Sequence, residues 1–144
     1  MNARWYFADL RWAMVRLQEI QRLLLNEGED WHQPGGAPKT IPDPTGARAM
    51  RHLASMASLL EEKASILAQR EEALLVIAGV GGALGSEHAE LLMRYYVKLE
   101  TWDEVAEAMG ISRRTCIRMR DWCLEWIDSV GFAHAKNGLG AAEK

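Results

Sequence analysis

All four prolines of this 144-residue chain fall within residues 27–45, EGEDWHQPGGAPKTIPDPT, together with two adjacent glycines. Proline removes a backbone donor and clashes with the preceding helical turn, so no regular element is expected to cross this stretch. A long loop or a short irregular excursion is predicted there, anchored by Trp31 and Ile41. His32 is a lone loop histidine and is not expected to be a ligand. On both sides of the loop, apolar residues recur at steps of three and four, the period of an amphipathic helix. The expected fold class is therefore all-α.

Upstream, Phe7, Leu10, Met14, Leu17, Ile20 (or Gln21) and Leu24 predict one helix over residues 2–26. Arg4, Arg11, Arg16 and Arg22 occupy its other faces, where a basic stripe is ordinarily a solvated one. Trp5, Tyr6 and Trp12 add aromatic bulk that requires a partner surface. Downstream, Pro42 and Pro44 delay a second helix to about Thr45 or Gly46. Met50, Leu53, Ala57, Leu60, Ala64, Leu67, Glu71, Leu74 and Ala78 then alternate steps of three and four, a coiled-coil-like heptad seam. It serves an antiparallel hairpin with residues 2–26, an intermolecular coiled coil, or both. GVGGALG at residues 79–85 has four glycines in seven positions, so the helix is expected to fail at Gly79. No strand precedes these glycines and their spacing fits neither common phosphate loop, so they read as a flexible linker.

The sharpest local pattern is TWDEVAEAMGISRRTCIRMRDWCLEW, residues 101–126. Thr101 and Glu104 form a T-x-x-E capping box that marks a helix start. Val105, Ala106 and Met109 follow at helical spacing, and Gly110 can take the left-handed conformation that ends a helix. Ile111 anchors the corner, and Ser112 caps a second helix with Cys116 and Met119 inward. Ser112, Arg113, Arg114, Ile117, Arg118 and Asp121 then face outward. Between Gly110 and Arg120 there are four arginines and no acidic residue. Arginine at such positions can bridge phosphates or grip guanine edges bidentately in a major groove. This is the grammar of a helix-turn-helix.

Residues 91–127, LLMRYYVKLETWDEVAEAMGISRRTCIRMRDWCLEWI, resemble the sigma-factor region-4-like helix-turn-helix of phage late-gene transcription activators of the ArpU/RinA type. The resemblance covers about a quarter of the chain in its specific part. It implies a sequence-specific regulator that binds double-stranded DNA in the cytoplasm of a bacterial host. It also implies long helices and a variable linker ahead of the C-terminal domain.

The expected plan is a long helical hairpin at 1–78 serving oligomerisation, a Gly-rich linker at 79–85, a helix-turn-helix domain at 86–131 and a flexible tail at 132–144. Leu91, Leu92, Tyr95, Tyr96 and Leu99 are the residues expected to pack beneath the motif, and Gly131 should end its second helix.

Charge narrows the function further. The chain carries −3 at neutral pH, and residues 86–130 hold six Lys/Arg against nine Asp/Glu. This counts against a general nucleic-acid coat and favours a contact focused along one helix. No long apolar run supports a membrane span. Arg4, Asp9 and Arg11 interrupt any signal-peptide core. Cys116 and Cys123 lie too far apart along one helix for a disulfide, and no His or further Cys completes a zinc site with them. They read as buried thiols in a reducing cytoplasm. No metal, cofactor or catalytic pair is expected, since Glu61–Glu62 and Glu71–Glu72 are helix neighbours that point to different faces. The expected partner set is DNA and a second copy of the chain. Two alternatives stand beside the regulator. One is a small-terminase-like packaging adaptor. The other is an interaction module in which Glu100, Asp103, Glu104 and Glu107 meet a basic partner such as RNA polymerase.

Overall fold

The computed structural model describes residues 2–31 and 44–137. Their regular structure is all helical, with no strand among them: α1 (Ala3–Trp31), α2 (Pro44–Leu84), α3 (Ser86–Leu92), a π-helical turn (Met93–Val97), α4 (Trp102–Met109), α5 (Arg113–Val130) and α6 (Phe132–Asn137). The loop expected between the long helices lies, over 32–43, outside the described residues. No helix among those described is long and apolar enough to cross a membrane.

The chain forms two compact units. One is Met1–Val15 with Ala68–Lys144, and the other is Arg16–Leu67. The boundary differs from the expected division at 79–85. The first turns of α1 and the last turns of α2 belong to the same unit as α3 to α6. The burial pattern shows why: Phe7, Leu10 and Met14 on α1, and Ala73, Val76, Ile77 and Val80 on α2, are buried with Leu91, Leu92, Tyr96, Val105, Cys116, Cys123, Leu124 and Ile127. Phe7 meets the Tyr96 ring at 5.1 Å between centroids, and Tyr6 meets Phe132 at 4.6 Å. Residues 86–131 therefore share their core with segments far upstream.

Within α1 the expected face is the buried one: Phe7, Leu10, Met14, Leu17 and Ile20 are all inside, and Gln21 is exposed. The helix runs on to Trp31 instead of stopping near Asn26. In α2 the seam expected from the leucines is not the face this chain buries against itself. Met50, Leu53, Ala57, Leu60, Ala64, Glu71 and Ala78 are exposed, and the buried face is Ile66, Ala73, Val76, Ile77 and Val80. Of these, Ala73, Val76, Ile77 and Val80 belong to the first unit and Ile66 to the second. The leucine seam is left on the outside. Inside the second unit, Arg16 holds Glu62 through two hydrogen bonds, of 2.7 and 2.9 Å.

α2 begins at Pro44 itself, since a first-turn proline sacrifices only a donor that has no helical partner. The break expected at Gly79 is absent, and the helix continues to Leu84. Packing offsets the weak helix propensity of these glycines. A Cβ added at Gly81 would stand 3.0 Å from the Ala89 Cβ, so α3 approaches α2 where there is no side chain. The chain turns only at Gly85, whose φ of 125° is costly for other residues. Gly82 has open space around its missing Cβ. Gly82→Ala is thus expected to raise stability by about 0.5–1 kcal/mol through helix propensity. Gly81→Ala should forfeit that gain to the contact with Ala89. Equilibrium urea unfolding of the two variants checks the contrast, and equal gains would refute the close-approach account.

Residues 132–137, expected to be part of a tail, form α6. Ala135 is buried, and Lys136 pairs with Glu72 at 3.3 Å. Gly131, with φ at 87°, separates α6 from α5 as a glycine should. Residues 138–144 lie outside the described residues.

Candidate nucleic-acid interface

The two short helices α4 and α5 are joined by a turn whose chemistry is local. The capping box is complete: the Glu104 amide donates to Thr101 Oγ1 at 3.2 Å, and the Thr101 amide donates to Glu104 Oε1 at 2.8 Å. At the other end of α4, Gly110 sits in the left-handed region at φ 71°, and the Ile111 amide reaches back to the Ala106 carbonyl at 3.1 Å. That six-to-one bond closes the helix in the manner of a Schellman turn. Ser112 Oγ accepts the Thr115 amide at 3.1 Å and starts α5. Val105 and Cys116 are buried beneath the turn, while Ala106, Met109, Ile111 and Met119 are half-buried.

α5 then presents its first two turns outward. Ser112, Arg113, Arg114 and Arg118 are exposed and Ile117 is half-buried. At 3.6 residues per turn, Arg113, Ile117, Asp121, Arg114 and Arg118 span an arc of about 140°. Arg113 lies 3.9 Å from Asp103, too long for a strong ion pair on so exposed a surface. Arg114 and Arg118 form no hydrogen bond or ion pair among the described residues. Three cations therefore stand in water at the helix end where the macrodipole is positive and unopposed, since the first turn holds no acid. The nearest acid to any of them is Asp103, at the weak 3.9 Å contact with Arg113.

Asp121 stands apart from that set. Its carboxylate accepts from Arg120 at 2.8 Å and from Arg4 at 3.2 Å. Burial alone would raise the Asp121 carboxyl, but its bonds to Arg120 and Arg4 hold it below the ordinary range. It organises arginines and is not a free acceptor for a base.

No family model, curated protein or solved structure matches the chain.

What the sequence reading missed is the support behind this face. Arg11, assigned to a solvated stripe, donates to the carbonyls of Tyr95 and Glu100. Those carbonyls lie within and just after the π-helical turn, in the stretch where Leu99 takes φ 64° without the freedom of glycine. A guanidinium carries several donors in a fixed fork, so one side chain can satisfy both. Arg11 also lies 4.0 Å over the Tyr95 ring, Tyr95 stacks on Trp102 at 3.9 Å and 10°, and Arg120 covers Trp102 at 5.4 Å. The column Arg11–Tyr95–Trp102–Arg120 links α1, the π-helical turn, α4 and α5. No periodicity rule reveals it, because its members come from distant segments. Arg94 fixes the same corner by pairing with Glu90 at 2.8 Å and Glu100 at 3.0 Å.

The thiols behind α5 are free and buried. Burial pushes Cys123 up to about 12 from 9.0, and burial with the Glu72 carboxylate pushes Tyr6 up to about 12 from 10.0. Burial raises Cys116 and Tyr96 as well. All four shifts favour the protonated form in the folded state, so the unfolded chain loses its protons first as pH rises. Stability is then fully present below about pH 9 and falls between about 9 and 12, at most by about 1.4 kcal/mol per pH unit for each group. Urea midpoints measured at pH 7, 9 and 11 should drop over the last interval, and Cys123→Ala should lessen the drop. A midpoint level from 9 to 11 would refute this account.

Proposed function

We propose that the chain is a sequence-specific DNA-binding transcriptional regulator of phage type, with α4, the turn and α5 acting as a sigma-region-4-like helix-turn-helix. The observation that carries this reading is the unpaired state of Arg114 and Arg118 beside Arg113 on one exposed arc. An exposed arginine cluster that internal acids neutralise has little to offer a phosphate backbone, and here only Arg113 has an acid near it, at 3.9 Å. The acidic balance of the surrounding residues limits non-specific binding, so affinity depends on the right site. Incubating the purified full-length chain with fragmented bacterial and phage DNA, and sequencing what it retains, tests the reading. Enrichment of a common site supports it, and indiscriminate or absent retention refutes it.

The long helices serve a homodimer in the same proposal, so that two copies of α5 meet two half-sites. Met50, Leu53 and Leu60 are more than half exposed on the seam that the single chain leaves uncovered. Light scattering at tens of micromolar should give twice the 16.2 kDa chain mass. Ring-sized oligomers would favour the packaging adaptor instead. A second reading has its own observation: Glu100, Glu104 and Glu107 line one shallow concavity with Arg94, a surface for a basic protein such as polymerase.

A further inference from the structure

The same compact unit holds a half-open cavity of about 350 Å3 that the DNA reading does not use. Arg4, Arg11 and Arg120 line it, together with Ala8 and the rings of Trp12 and Tyr95. We propose that this cavity binds a small, flat aromatic anion.

Size sets the first limit. The volume lies at the lower end of the roughly 300–1,000 Å3 typical of small-molecule sites, enough for one fused ring pair and not for a peptide. The walls set the second. Trp12 is 71% exposed, and its indole makes no ring contact among the described residues, so a large aromatic face is held ready at the rim. Tyr95 already has Arg11 on one side and Trp102 stacked 3.9 Å away. That ring is fixed and forms a firm wall.

Charge sets the third limit. Three guanidiniums converge here, and the carboxylate paired with them among the described residues is Asp121, shared by Arg4 and Arg120. Arg11 has only the carbonyls of Tyr95 and Glu100, which bear no formal charge. The cavity therefore carries an excess of about two positive charges in a partly desolvated setting, where an anion is held by charge-assisted hydrogen bonds. Guanidinium planes also stack on aromatic faces, so the same groups favour a ring over a bare ion. Carboxylate and phosphate share this chemistry. The site is distinct from the DNA-facing set, since none of Arg113, Arg114 and Arg118 lines it.

The test is calorimetric titration of the full chain with 2-naphthoate and with 1-naphthyl phosphate. Neutral 2-naphthylmethanol and inorganic phosphate serve as the single-property probes. One site per chain is expected for at least one of the two anions, with quenching of tryptophan fluorescence. The tighter of the two identifies the acid group. Each single-property probe should bind at least tenfold more weakly. Ala8 is exposed on α1, so Ala8→Phe should fill the cavity and weaken binding more than tenfold without moving the thermal midpoint. Arg4→Gln should weaken it severalfold. Absence of saturable one-to-one binding, equal affinity for the neutral alcohol, or unchanged affinity in a folded Ala8→Phe variant would each overturn the proposal.

Discussion

Replacing Arg113, Arg114 and Arg118 together by alanine should lower affinity for the best DNA site by at least about a hundredfold, since each phosphate or guanine contact carries roughly 1–3 kcal/mol. The fold should survive. All three side chains are exposed, the one near-contact is Arg113 with Asp103 at 3.9 Å, and alanine is a better helix former than arginine. The single variants separate two kinds of contact. An arginine on phosphate alone should weaken every sequence alike and lower the salt slope by about 0.9. One that reads guanine should relax preference at a single base pair. Arg120→Ala belongs elsewhere. It removes one of the two partners of Asp121 and the cover of Trp102, so its loss should appear in stability first. Gly110→Val is a folding defect of another kind, because a β-branched residue at φ 71° is strained by about 1–3 kcal/mol. A folded triple variant that keeps its site affinity and salt dependence would shift the weight to the acidic concavity of Glu100, Glu104 and Glu107.

The features legible in the sequence are those fixed within a few residues. Thr101 and Glu104, Gly110, Ser112 and Gly131 stand in the structure where their local chemistry placed them, since a cap or a left-handed glycine needs no distant partner. The buried face of α1 was legible because one apolar stripe had no competitor. α2 offers two stripes, and counting leucines does not find the one that the chain buries against itself. Only the surroundings of Ile66, Ala73, Val76 and Val80 settle the matter, and those surroundings are tertiary. The glycines at 79–82 mislead in the same way: propensity says break, but close approach of Ala89 to Gly81 keeps the helix. The exposed arginine set was readable down to the residue. Asp121 was not, because its two arginine partners include Arg4, 117 positions away.

Phe7→Ala is expected to destabilise the unit that carries α5 by about 3–5 kcal/mol, although residue 7 lies far from α5 in sequence. Phe7 is fully buried, and its ring meets Tyr6 and Tyr96, each at 5.1 Å. Deleting it leaves a cavity beside Tyr96, in the turn that Arg11 caps and on which the Tyr95–Trp102 stack depends. The loss should therefore spread to α4 and α5 and not stay local to α1. Amide exchange gives the decisive reading: protection at Cys116, Cys123 and Ile127 should fall together with protection at Leu10. The sequence division at 86–131 makes the opposite prediction, that α5 is indifferent to residue 7. A fragment of residues 86–137 sharpens the test, since it lacks Phe7, Leu10, Arg11, Val76 and Val80. It should unfold without cooperativity, its apolar groups at Leu91, Leu92 and Tyr96 having lost the surfaces that bury them. If that fragment instead melts cooperatively at the full-length midpoint, α1 and α2 are appendages and the shared core is wrong. If it fails while Phe7→Ala lowers protection along α5, any regulator built on α5 has its recognition helix held by the first turns of α1 together with the last turns of α2.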